Sequence, residues 1–113
     1  MRISNPALIA ALLTTGPTAA LAQVGGDLPG DPAAGRALAE AVCSVCHAIP
    51  DWEQPAIEAP GALPFEMLAA DPAVTGMALH AFLRGPHPIM PNIVLSDEEL
   101  NDIIAYILSL KDG

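Results

Sequence analysis

Cys43-Ser44-Val45-Cys46-His47 is a C-x-x-C-H pentapeptide. That spacing is the attachment sequence for c-type haem. Two thiols three positions apart can form thioethers to the two vinyl groups of one porphyrin. The histidine that follows the second thiol then lies under the iron as proximal ligand. Both cysteines of the chain are used in this way, so no thiol is left for a disulfide or a cysteine-rich metal site. Other readings of C-x-x-C need companions. A redox dithiol sits beside a βαβ pattern, and none is visible. A structural zinc site takes four Cys or His ligands. His80 and His87 are the only other histidines, and their spacing does not match H-x3-5-H.

Upstream of the motif, residues 1–22 read as a secretory signal. Arg2 is the only charge before Asp27, and Ala7 to Leu13 form a short apolar core. Thr14-Thr15-Gly16-Pro17 breaks that core, and Ala20-Leu21-Ala22 is a small-residue cleavage site. The apolar stretch is shorter than the ~20 residues of a transmembrane helix. An uncleaved anchor is the alternative, and no cysteine lies near the cleavage site to carry a lipid. The expected organisation is a signal peptide over 1–22, a flexible Gly/Pro-rich leader over 23–30 and one small domain over 31–113. No transmembrane span is expected in the mature chain, which would be periplasmic or otherwise exported.

The charge is lopsided, with 13 acidic against 4 basic residues and a net charge of −9. Loss of Arg2 with the signal takes this to −10. Nucleic-acid binding needs a basic footprint and is not expected. An acidic surface suits a partner with a basic docking patch, mainly by speeding encounter. Solubility alone is the plainer explanation of the same charge.

The rest of the chain reads as helices between proline-stiffened loops. Asp31-Pro32 supplies an N-cap and a first-turn proline, which predicts a helix over about 32–42 leading into the haem motif. Four prolines between Ile49 and Pro64 predict an irregular loop. Phe65 to Ala70 reads as one or two helical turns. Asp71-Pro72 predicts a second Asp-Pro start, for a helix over 73–83. Residues 84–91 form a loop stiffened by Pro86, Pro88 and Pro91. The last element is the clearest. Ser96 and Glu99 form a capping box, Asp97 and Glu98 suit the N-terminal dipole, and Leu100, Ile103, Ile104 and Ile107 recur at helical spacing. No strand pattern and no internal repeat is seen.

In this order the elements resemble a class I (small, mono-haem) cytochrome c, over about residues 31–111. The resemblance implies an all-α, cytochrome c-like fold with three to four short helices wrapped around one covalently bound haem. Gly35 lies eight residues before Cys43, where the family uses glycine to let its terminal helices touch. Ile103, Ala105 and Tyr106 resemble the matching contact on the last helix. Ala59 to Phe65 resembles the loop whose carbonyl accepts a hydrogen bond from the axial histidine, with its register left open by the prolines. One departure is Ala39, where the family often has an aromatic. The resemblance also implies haem assembly outside the cytoplasm, consistent with the signal.

The family takes its sixth iron ligand from a methionine upstream of the last helix, which here is Met90. Pro88 and Pro91 hold Met90 in a stiff loop. Met67 in a helical turn and Met77 on a helix facing the core read as packing. His87, in the same loop, and His80 are rival ligands, and His80 also reads as covering a haem edge or lying on the surface. Arg84 and Trp52 are candidates to meet the haem propionates, against an ordinary surface ion pair and porphyrin-edge packing. The expected cofactor-binding residues are therefore Cys43, Cys46, His47 and Met90, with His47 and Met90 on the iron and no catalytic residue. The implied function is single-electron transfer between a redox protein donor and acceptor, without enzymatic activity. Two alternatives stay open: a haem-based ligand-binding or peroxidatic protein with an open sixth site, and a dedicated electron-transfer subunit of an oxidoreductase.

Overall fold

A computed structural model describes residues 16, 29–86 and 90–112 of the chain. The expected signal over 1–22 and nearly all of the leader over 23–30 lie outside the described residues, as does His87. The described part is all-α, with four helices and no strand.

Helix α1 (Pro32–Ala41) begins as its sequence dictates. The Asp31 carboxylate accepts from the Ala33 N–H at 2.8 Å, and Pro32 occupies the first turn, where its missing N–H costs nothing. Helix α4 (Asp97–Ser109) starts with the expected capping box. The Ser96 hydroxyl accepts from the Glu99 N–H at 3.2 Å, and the Glu99 carboxylate accepts from the Ser96 N–H at 2.8 Å. Leu100, Ile103, Ile104 and Ile107 all lie within 4% exposure on its inner face. Each contributes ~1.5–3 kcal/mol of burial.

The crossing of α1 and α4 is the most extensive contact between elements. It depends on two glycines. A Cβ on Gly35 would lie 1.9 Å from the Asp102 carbonyl oxygen and 2.8 Å from Tyr106 Cβ. Gly30 has φ +127°, and a Cβ there would lie 2.2 Å from the Asn101 oxygen. Between them, the Asp31 N–H donates to the Asp102 carboxylate at 2.7 Å. The chain thus meets α4 at three successive points before the haem motif begins.

Helix α2 (Phe65–Ala70) and helix α3 (Gly76–Arg84) complete the shell. The start of α3 differs from the expected position at Ala73. Asp71 does cap, but it caps a turn: its carboxylate accepts from the Ala73 N–H at 2.8 Å, and its carbonyl from the Val74 N–H at 3.1 Å. The helix itself opens at the next capping residue, Thr75, whose hydroxyl accepts from the Ala78 N–H at 3.1 Å. Met77 is a second correction: it is 84% exposed and does not face the core. A closing 3-10 turn, Leu110–Asp112, lets the Lys111 ammonium reach the Asp71 carbonyl at 3.2 Å.

Candidate haem site

The C-x-x-C-H motif is wound directly onto the end of α1. Val42 ends the helix, and a 3-10 turn over Cys43–Val45 follows. The Cys43 carbonyl accepts from the Cys46 N–H at 3.1 Å and from the His47 N–H at 2.9 Å. The Ser44 hydroxyl donates back to the Glu40 carbonyl at 2.6 Å. Both thiols and the imidazole are thus carried on one compact turn, closed by bonds to the Cys43 carbonyl.

The imidazole has a defined tautomer. His47 Nδ1 lies 2.7 Å from the Leu63 carbonyl oxygen. A carbonyl only accepts, so Nδ1 carries a proton, and in the neutral imidazole the lone pair is then on Nε2. A histidine bound to a metal through Nε2 needs this arrangement, and the bond also raises its basicity. The register that the prolines left open is thereby resolved, with Leu63 as acceptor. The same loop is tied a second time, by the Phe65 N–H donating to the Ala48 carbonyl at 3.0 Å.

Cys43 opens onto an apolar crevice. Leu38 and Val42 come from α1 and its cap, Leu83 from α3, Ile103 from α4, and Met90, Ile93 and Leu95 from the loop before α4. Burial pushes the Cys43 thiol up to about 11. Redox dithiols depend on a depressed thiol pKa, so this environment does not suit thiol exchange. Val45, Ile57 and Leu63 remain exposed around the motif, and the Ile57 N–H donates to the Val45 carbonyl at 3.1 Å. The donor set suits a group that offers carbon to two thiols and a metal to one imidazole, and the crevice lining is apolar.

Met90 lies in this crevice and is partly buried. Met67 and Met77 are 58% and 84% exposed and do not line it. His80 is exposed and lines a different groove, between α3 and α4. Arg84 forms an exposed ion pair with Asp97, so its plainer explanation is realised. Trp52 is 44% exposed on the loop after the motif. Arg36 holds that loop to α1, donating to Glu40 at 2.7 Å and to the Pro50 carbonyl at 3.4 Å.

The family profile for cytochrome c matches residues 32–111, which covers all four helices and the motif. The chain belongs to the cytochrome c family. Among its relatives is cytochrome c-552 of Bradyrhizobium diazoefficiens, 36% identical over 84 residues, or 74% of this chain and 79% of that protein. No solved structure matches significantly. As a cytochrome c, the chain carries covalently bound haem c and is an electron carrier with redox partners.

Sequence reading missed several residues of this site. Leu63 acts through its backbone oxygen, so its side chain gives no signal. A hint lay in Pro64, which biases the preceding residue toward extended backbone and turns its carbonyl away from any helix. Phe65 and Arg36 touch the site only through tertiary contacts. No described helix is long and apolar enough to cross a membrane.

Proposed function

We propose that the protein is an exported mono-haem cytochrome c that carries single electrons through a His47/Met90-ligated iron. The observation that carries this reading is the 2.7 Å bond from His47 Nδ1–H to the Leu63 carbonyl. In the neutral imidazole it leaves Nε2 available to a metal, on the same turn as Cys46 and as Cys43, which opens onto the crevice that Met90 also lines. Cys43 and Cys46 would hold the haem by thioethers. When bound, the haem supplies a one-electron iron couple. A thioether from Met90 favours ferrous iron and raises the potential. Leu38, Leu83, Ile93 and Ile103 keep water from the same space. Residues 1–22 would direct export and be removed, leaving the product periplasmic. The mature charge of −10 would steer encounter with a donor and an acceptor bearing basic docking patches. No residue acts as a catalytic acid, base or nucleophile in this reading, and the protein is not an enzyme.

Single-cysteine and ligand variants test it. Cys43→Ala and Cys46→Ala should each lose one thioether and shift the haem spectrum. Met90→Ala should open the iron to carbon monoxide. Two unchanged two-thioether spectra, or a Met90→Ala protein as closed as wild type, would contradict the reading.

A further inference from the structure

We propose that Phe65 is a positioning residue for electron transfer. Its ring sets the plane of the His47 imidazole and links that plane, through Tyr106, to α4. The inference rests on His47 as the axial ligand, as proposed above.

A single hydrogen bond restrains a ring only softly. The 2.7 Å contact from Nδ1 to the Leu63 oxygen limits rotation of the imidazole about its Cβ–Cγ bond and leaves it a range of tilt. A second contact on the ring itself narrows that range. Phe65 supplies it. Its ring centroid lies 5.4 Å from that of His47, with the planes tilted by 60°. This falls in the separation range favoured by tilted and edge-to-face aromatic pairs. Phe65 is itself held firmly. It is 3% exposed, and its N–H donates to the carbonyl of Ala48, the residue after the ligand. Any movement of Phe65 therefore pulls on the same segment that carries His47.

The column continues beyond Phe65. Tyr106, 4% exposed on α4, lies 6.2 Å from Phe65 with the planes tilted by 46°. Tyr106 is also among the residues nearest to Gly35 where α1 crosses α4. The helix crossing and the ligand plane thus share a wall of rings. Groups that orient an axial histidine tune the metal as well as hold it. The orientation of the imidazole plane selects which iron orbital carries the unpaired electron in the ferric state. It therefore shows in the spread of the electron paramagnetic resonance signals and in the haem-methyl NMR shifts, independently of any activity.

The test compares ferric holoproteins. Phe65→Leu should change the spread of resonance signals and the haem-methyl shifts, and move the reduction potential. Phe65→Tyr, which keeps the ring, should restore the wild-type pattern. Leu100→Ala, more than a turn from Tyr106 on α4, removes another buried side chain of the same core but no ring and should leave the pattern unchanged. If Phe65→Leu does not accumulate, Phe65→Met makes the same comparison with a flexible side chain of similar bulk. A wild-type pattern in the ring-less variants would overturn the proposal. So would an equal change in Leu100→Ala. An unchanged low-spin spectrum in His47→Gly would instead overturn the ligand reading beneath it.

Discussion

Replacing Gly35 with alanine puts one methyl group into the tightest contact of the fold. The new Cβ would start 1.9 Å from the Asp102 oxygen and 2.5 Å from the Asp102 carbonyl carbon. Ordinary contact needs about 3.5 Å, so α1 and α4 must separate locally by about 1.6 Å. The obstruction is backbone, and no rotamer change relieves it. Nor is the helix free to swing aside, because Gly30 and the Asp31–Asp102 hydrogen bond hold the adjacent chain against the same turn of α4. Forced overpacking costs ~1–3 kcal/mol, occasionally more. Straining or losing one hydrogen bond to a carboxylate adds about 1 kcal/mol. Alanine's better helix propensity returns about 1 kcal/mol. The expected net loss is ~1–3 kcal/mol, which lowers Tm by roughly 4–24 °C in a domain of this size. Urea unfolding of the holoprotein, followed by far-ultraviolet circular dichroism, measures it as a lower midpoint at unchanged m. A Gly35→Ala protein within about 0.5 kcal/mol of wild type would refute the close-approach argument.

Three further perturbations test other parts of the fold. Ser96→Ala breaks the α4 capping box and should cost about 1 kcal/mol in the same urea assay. The Tyr106 hydroxyl is buried with no hydrogen-bond partner among the described residues, so Tyr106→Phe should stabilise by about 1 kcal/mol. Burial also raises the Tyr106 pKa; the folded state then binds the extra proton, and stability falls as pH rises past ~10. Tyr106→Phe should make that alkaline loss shallower, as read from denaturant midpoints across the range. Arg84 and Asp97 are an exposed pair, and a double-mutant cycle should give less than ~1 kcal/mol.

What was legible in the sequence was whatever local chemistry specifies. Asp31-Pro32 and the Ser96/Glu99 pair each fix a helix start through bonds within a few residues, and both starts are where the sequence puts them. Gly35 was legible only through the family resemblance, because the close approach that requires a glycine there is a tertiary contact. The start of α3 was harder, because two capping residues, Asp71 and Thr75, compete within four positions. Both caps form, and only the second is continued by a helix. Met77 was misplaced because a nine-residue helix, Gly76–Arg84, with mixed apolar faces leaves its rotation to tertiary packing around Leu79. At the site, the covalent motif announces itself, whereas the Leu63 oxygen and the Phe65 ring do not. A backbone acceptor has no side-chain identity, and a ring contact across 18 positions depends on how the proline loop folds back.

The visible spectrum of the reduced holoprotein, recorded with and without carbon monoxide, tests the central claim most directly. A closed six-coordinate iron with Met90 in place predicts an unchanged spectrum, together with a far-red thioether band in the oxidised form. Rapid and complete conversion to a carbonyl form would contradict the account, because the sixth position would then be open to ligands.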